Sequence, residues 1–382
     1  MPEQRSSVGT FLRAAAAGLE SDIDRFGDLL FRNDGHAGRV RMLTYAGYRN
    51  AHELRVSGRV VRYREPLDAG DGTLSRLRTM LAIYNSEEVP GVCVRCDAYG
   101  GTAETRSDEE GYFSFALPID QPLPDATRWE SATLSTPELE AQSPSIEVPV
   151  MAPAADDHWG VISDIDDTII ETGATNFVKN WRRVLVDQPD DRLAVPGAAK
   201  LYQMIAHDHQ APVRPFFYVS SSPWNLYGFI AEFMELNGIP HGPMFLTDYG
   251  IDGDKLLKVA HGTHKLAAIE AILLFYPQLR FLLIGDNGQH DVEIYARAVQ
   301  EFPGRVAAVF IRDVEGSCRQ GAQATLLNGI EANGIPAYCG AGFNDALTAA
   351  NELEMDRPLE AAKAISAKNL RQCGNARHDD VV

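Results

Sequence analysis

From His158 to about residue 340, short uninterrupted apolar runs alternate with amphipathic stretches of helix length. WGVISD, FFYVSS, FLLIGD, RVAAVFIRD and PAYCG are too short for buried helices and carry Val, Ile, Phe and Tyr. Between and after them, PGAAKLYQMIAHD, PWNLYGFIAEFMELNG, HKLAAIEAILLFYP, DVEIYARAVQEFPG, QGAQATLLNGIEANG and FNDALTAANELE repeat apolar residues at helical spacing. A strand that is apolar on both faces must be covered on both. The pattern therefore predicts a doubly wound α/β domain, a parallel sheet between two helical layers, over residues 156–355. Ligands of such domains bind beyond the carboxyl ends of the strands. Polar residues at those ends are where chemistry is expected.

The preceding residues follow another pattern. RVRMLTY, ELRVSGRVVRY, TMLAIYN, GVCVRCDAY, TAETRS and YFSFALP are short, β-rich and separated by Gly, Pro, Asp and Ser. They predict an antiparallel, sandwich-like accessory domain over residues 36–150. SPSIEVPVMAPAADDH, residues 143–158, is expected to be the passage between the two domains. Residues 1–35 are expected to form an N-terminal helical segment, with Phe11, Leu12, Leu19, Ile23, Phe26, Leu29 and Leu30 at helical spacing. Its other face carries Glu20, Asp22, Asp24 and Asp28, which favours packing on the protein body over lying on a membrane. Residues 356–382 are a C-terminal tail with a polar end.

An apolar fraction of 45% with 23% charged residues excludes disorder over most of the length. The formal net charge of −18 is spread along the chain and repels a phosphate backbone, so nucleic acid is not an expected partner. No run is long enough to span a bilayer, and the Arg-interrupted start is a poor secretory signal, so the expected location is the cytoplasm. Five cysteines do not make a disulfide framework. Cys93 and Cys96 form a lone C-x-x-C on a strand, where residues three apart face opposite sides.

Four strand ends or helix starts carry a coherent set: Asp164-Ile165-Asp166-Asp167-Thr168, then Ser220-Ser221-Ser222, then Lys265, then Gly285-Asp286 through Asp291. Each piece alone has an ordinary structural reading, as a solvated turn, a helix cap or a surface lysine. Their order and context describe phosphoryl transfer. Asp164 is expected to attack phosphorus, and Asp166 to protonate the leaving oxygen and then deprotonate water. Ser220, Ser221 and Lys265 would hold the phosphoryl oxygens. Crowded carboxylates call for a hard cation, which makes Mg²⁺ the expected cofactor, with Asp164, Asp166 (through its carbonyl), Asp286 and Asp291 as the metal set. Asp291 would act from just outside, orienting the metal shell or Lys265. Trp224, His290, His261 and His264 lie nearby; packing accounts for Trp224, and the two flanking histidines lack a third soft ligand.

The ordered set resembles the haloacid-dehalogenase-type phosphatases. Within them, GVISDIDDTI, FFYVSSSPWNLYGFI, HKLAAIEAILLFYP and FLLIGDNGQHDVEIYARAVQEFPGRVAAVFIRDV resemble the catalytic domain of the actin-patch-type phosphatidate phosphatases and their bacterial relatives. The resemblance covers about residues 156–318. It implies Mg²⁺-dependent release of phosphate from phosphatidate or a related phospholipid monoester, with peripheral membrane contact. Thr247 and Asn287 stand where the family tends to place arginine and serine.

Neither the gap 169–219 nor the gap 223–264 holds a cap-sized insertion once core elements are set aside. The first leaves only a flap-sized segment at 171–195, with Phe177, Trp181, Arg182 and Arg183. An open site suits a phosphate on a large body such as a lipid. The alternatives are a soluble metabolite or phosphoprotein as substrate, the flap or the β-rich domain serving as a lid, or an inactive binding module. The oligomeric state is not legible.

Overall fold

The computed structural model describes residues 39–63, 86–139, 145–171, 194–207, 214–247, 261–343 and 346. The helix expected within residues 1–35, the strand at TMLAIYN, most of the flap, the tail over 356–382 and all of FNDALTAANELE except Phe343 and Ala346 lie outside the described residues.

Nine strands come first: β1 (Arg39–Thr44), β2 (Gly47–Arg49), β3 (Glu53–Tyr63), β4 (Glu87–Glu88), β5 (Cys93–Ala98), β6 (Gly101–Arg106), β7 (Tyr112–Pro118), β8 (Arg128–Ser135) and β9 (Ile146–Ala152). They share one hydrogen-bonded network in the order β1-β3-β2-β9-β8-β5-β6, with β4 and β7 also paired to β3. All described pairings are antiparallel except β2 with β9. Strand alternation builds the core: Phe113, Phe115 and Leu117 of β7 point in with Val94 and Cys96 of β5 and Leu54 and Val56 of β3. Cys93 is half-buried while Cys96 lies in that core, so the C-x-x-C pair does not converge.

The segment 143–158 is not simply a passage. Ile146–Ala152 pairs with β8 on one side and β2 on the other, and Val148 and Val150 are fully buried. The Ile-Glu-Val-Pro-Val alternation is that of a half-buried strand, and Pro149 obscured it in the sequence.

The rest of the chain is α/β. Strands β10 (Trp159–Ser163), β11 (Phe216–Pro223), β12 (Met244–Thr247), β13 (Arg280–Asp286), β14 (Val306–Arg312) and β15 (Ala337–Gly340) form a parallel sheet in the order β12-β11-β10-β13-β14-β15. Between them run α1 (Ala198–His207), α2 (Tyr227–Leu236), α3 (His261–Phe275), α4 (Asp291–Glu301) and α5 (Gly321–Ala332). Alternate residues feed two separate cores. Val161, Phe216, Tyr218, Leu282, Ile284 and Phe310 pack with α1 and α2, while Ile162, Phe217, Val219, Leu283, Val309 and Ile311 pack with α3, α4 and α5. Both faces are covered, which is why these strands read as continuous apolar runs. The strand order reverses direction between β10 and β13, and that opens a crevice at their carboxyl ends.

Two further features bear on the cysteine and interface readings. The structure joins Cys318 and Cys339 in a disulfide between the turn after β14 and β15, where the sequence suggested no framework. The two sheets also meet through aromatics. Tyr45 stacks on Trp224 at 4.2 Å, and Tyr48 packs against Phe217, Phe245, Phe275 and Tyr276. Hydrogen bonds seal the contact: Asn50 Nδ2 to the Phe275 carbonyl (3.1 Å), the Ala46 amide to Tyr227 Oη (3.0 Å), and Arg59 Nη1 to Asn225 Oδ1 (2.7 Å).

Arg49 anchors the β2 end of this contact. Its guanidinium grips Glu130 with two hydrogen bonds (2.7 and 3.1 Å), and Tyr99 donates a third to the same carboxylate (2.6 Å). Burial pushes the Glu130 carboxyl up, but the bonds from Arg49, Tyr99 and Arg128 outweigh it and hold the group at about 2, against an ordinary 4.5. A depressed carboxyl stabilises the fold fully above its unfolded value, and that contribution fades as pH falls towards the folded one. Glu130→Gln should therefore cost about 2 kcal/mol at neutral pH. In urea titrations the gap from wild type should close as pH drops from about 4.5 towards about 2. A gap that stays constant across that range would contradict this account of the cluster.

Candidate active site

β10 delivers the first two acids. The Asp164 amide donates to the Ile284 carbonyl at 2.8 Å, which keeps the chain beside β13 for one residue past the strand. Its carboxylate is 1% exposed and lies 2.7 Å from Lys265 Nζ, with Thr168 Oγ1 donating to its other oxygen at 3.2 Å. Ser163 Oγ donates to the Asp164 carbonyl at 2.6 Å and meets Tyr202 Oη of α1 at 2.6 Å. The backbone then turns sharply. Asp167 adopts φ +58°, a left-handed conformation that Asp tolerates, and its amide closes on the Ile170 carbonyl at 2.8 Å.

β11 delivers the hydroxyls. Ser220 Oγ and Ser222 Oγ both donate to Asp166 Oδ2, at 2.6 and 2.9 Å, and the Ser222 amide donates back to Ser220 Oγ at 2.8 Å. Ser221 lies between them, half-buried, and makes neither bond to Asp166. Period-2 geometry is the signal that pairs Ser220 with Ser222.

Lys265 is 3% exposed and sits in the second turn of α3, which begins at His261, ahead of the HKLAAIEAILLFYP run that predicts the helix. Its ammonium bridges Asp164 Oδ1 (2.7 Å) and Asp291 Oδ1 (2.8 Å). Asp291 opens α4, and its other oxygen accepts the Asp286 amide at 3.1 Å. Asp286 closes β13 and accepts the amides of Gly288 (2.5 Å) and Gln289 (3.0 Å) on one oxygen. A Cβ at Gly285 would collide with Asp291 Oδ2 and Tyr295 Oη, so only glycine allows these acids to approach.

The electrostatics follow from burial. Burial opposes the charge on Lys265, but Asp164 and Asp291 more than compensate, and the ammonium is held well above its ordinary value. Burial also raises Asp164; Lys265 opposes this, while Asp291, Asp286 and Asp166 add to it. Burial and then Asp291 push the Asp286 carboxyl up to about 7. Asp166 is raised by burial against the hydrogen bonds from Ser220 and Ser222. One lysine does not balance these acids.

A divalent cation would. Asp164, Asp286 and Asp291 each bring a carboxylate oxygen within 4.8 Å of the others. Asp286 Oδ2 is buried and has no hydrogen-bond partner among the described residues. An all-oxygen set with an orphaned carboxylate oxygen fits a hard ion such as Mg²⁺. Asp291 has one oxygen on Lys265 and the other on the Asp286 amide. Asp166 stands outside this carboxylate cluster, with its side chain on the serines and its carbonyl accepting Gln289 Nε2 at 3.3 Å.

Several contributors escape sequence reasoning. The sequence places Ser222 and Thr168 in the motifs without giving them a role, and Gln289 and Arg312 carry no signal beyond their place near strand ends. Asn287 is a brace: Nδ2 donates to Asp313 Oδ1 (2.7 Å) and Gln323 Oε1 (3.2 Å), while Oδ1 accepts the Val314 amide (2.8 Å). Trp224 packs on Tyr45, as the structural reading expected. His290 is largely exposed at the N-terminus of α4 and lies 3.9 Å from Glu293, and Thr247 Oγ1 is 3.5 Å from the Ser220 carbonyl. Burial pushes the His264 imidazole below its ordinary value.

Residues 159–313 match the family described as Phosphatidate phosphatase APP1, catalytic domain. Phosphatidate phosphatase APP1 of Saccharomyces cerevisiae is 32% identical over 153 residues, 40% of this chain and 25% of that protein. An uncharacterised protein of Schizosaccharomyces pombe is 27% identical over 171 residues, 44% of this chain and 27% of that protein. The chain thus spans only 25% and 27% of the length of these curated relatives. Among solved structures, a carbohydrate acetylesterase from Xanthomonas citri aligns over 70% of this chain and 65% of that one, at 11% identity and a TM-score of 0.24, too distant to bear on the fold. The matched segment, residues 159–313, which holds the acids, serines and lysine described above, is thus similar to the catalytic domain of the actin-patch-type phosphatidate phosphatases.

Proposed function

We propose that this chain is a Mg²⁺-dependent phosphatase of phosphatidate or a related phospholipid monoester, working through an aspartyl-phosphate on a haloacid-dehalogenase-like domain. One observation carries the reading. Two acids, two residues apart, are sorted into different environments: Asp164 lies against Lys265 and Asp166 against Ser220 and Ser222. The ammonium opposes the burial that raises Asp164 and so favours its anion, the form that attacks phosphorus. Asp166, whose carboxyl burial raises against the hydrogen bonds from Ser220 and Ser222, is the group that in its protonated form gives a proton to the leaving oxygen. It then takes a proton from the water that opens the aspartyl-phosphate. Lys265 neutralises charge building on the phosphoryl oxygens, and Ser220 steers the Asp166 proton. Asp164 and Asp286 would hold Mg²⁺, which supplies further charge stabilisation. The lipid half of the proposal rests on the family match and on the absence of a cap-sized insertion in the sequence between the motifs.

Three outcomes are expected. Asp164→Asn should fold as wild type yet lose roughly 10⁴-fold in phosphate release, the scale seen when a nucleophile is removed. Wild-type turnover in that variant would exclude the covalent route. Chelator should stop activity and Mg²⁺ restore it, with Asp286→Asn raising the Mg²⁺ concentration for half-activity and Zn²⁺ substituting poorly. Full activity in excess chelator would show that the carboxylates serve another purpose. Phosphatidate in mixed micelles should be hydrolysed far faster than sugar phosphates, and the reverse order would overturn the lipid assignment while leaving the phosphatase intact.

A further inference from the structure

The turn that carries Asp166 is held by two side chains from neighbouring strand ends. Arg312 closes β14 directly opposite Asp286 in the parallel register. Its Nη1 donates to the Asp167 carbonyl at 2.6 Å, and Nη2 meets the Glu171 carboxylate at 2.7 Å, with the guanidinium side chain 11% exposed. Gln289, from the acidic loop after β13, donates to the preceding carbonyl, that of Asp166, at 3.3 Å. Two consecutive carbonyls of one turn are thus pinned from across the crevice. The turn needs pinning, because Asp167 is in the left-handed region and its amide is already committed to Ile170. The loop carrying Gln289 is tied to the end of β14 in turn, since the Asn287 amide donates to the Arg312 carbonyl at 3.1 Å.

We propose that Arg312, anchored by Glu171, and Gln289 are positioning residues that clamp the Asp166–Asp167 turn and aim the Asp166 carboxyl at the leaving oxygen. This rests on the phosphatase reading above. The clamp touches neither substrate nor nucleophile, so its loss should be felt only where proton donation limits the rate. An alkyl phosphate leaves as a strongly basic alkoxide and needs the acid, whereas p-nitrophenyl phosphate leaves as a stable phenolate and scarcely does. A fork-shaped guanidinium spans two acceptors that a lysine ammonium cannot reach together.

The test uses the full chain with Mg²⁺, dioctanoyl phosphatidate in mixed micelles and p-nitrophenyl phosphate. Arg312→Gln should lower kcat on the lipid about 30-fold, with KM nearly unchanged, and lower the aryl ester by about 3-fold or less. Arg312→Lys should recover only part of the lipid rate. Gln289→Leu and Glu171→Gln should show the same selectivity with smaller losses, and they decide the matter if Arg312→Gln does not fold. Equal losses on both esters, or losses confined to KM, would overturn the clamp while leaving the phosphatase reading standing. A wild-type chain that hydrolyses neither ester would remove both.

Discussion

The site turns on one buried ion group, Lys265 held between Asp164 and Asp291. An ammonium with 3% exposure persists inside a protein only with partners at contact distance. Each group comes from a different element: Asp164 from just past the end of β10, the lysine from α3, Asp291 from the start of α4. The triad therefore ties together the elements around the crevice. It also sets the local chemistry, because the acids of the cluster outnumber the single lysine. The excess negative charge is what makes a cation fit at Asp286.

The first sheet is more than an appendage. Tyr45 and Tyr48 come from the turn before β2 and from β2 itself, and they seat on Trp224 just past the serines and on Phe275 and Tyr276 at the end of α3. The strand that carries Ser220 and the helix that carries Lys265 are thus both packed from outside by one short strand. Arg49, next to Tyr48, is fixed by Glu130 and accepts Tyr276 Oη on its carbonyl at 3.2 Å. The first sheet thus braces both that strand and that helix from outside.

Much of this was legible before any coordinates. Strands buried on both faces announce themselves as apolar runs, so the strand ends carrying Asp164, Ser220 and Asp286 could be placed at one crevice from the sequence. Lys265 is recognisable because it stands in order with the acids, although its helix begins at His261, ahead of the apolar run that predicts it. What was not legible depends on partners distant in sequence. β8 reads as RWESATLS, too polar to announce itself, and becomes a strand because β5 and β9 flank it. Pro149 hid β9. The pairing of Cys318 with Cys339 exists only once β14 and β15 lie side by side, and the grip of Arg312 on the Asp167 carbonyl only once β13 brings the end of β14 near that of β10. Ser222 rather than Ser221 joins Ser220 on Asp166 because alternate strand residues share a face.

The central claim is that Asp164 becomes covalently phosphorylated. The most direct measurement is acid-quench mass spectrometry of the Asp166→Asn variant incubated with phosphatidate micelles and Mg²⁺, followed by peptide mapping. The account predicts a phosphoryl-sized mass increment, labile to hydroxylamine, on the peptide that contains Asp164, and its absence when Asp164 is also replaced by Asn. Phosphate release by the wild type, with no increment on that peptide at any quench time in the Asp166→Asn variant, would contradict it.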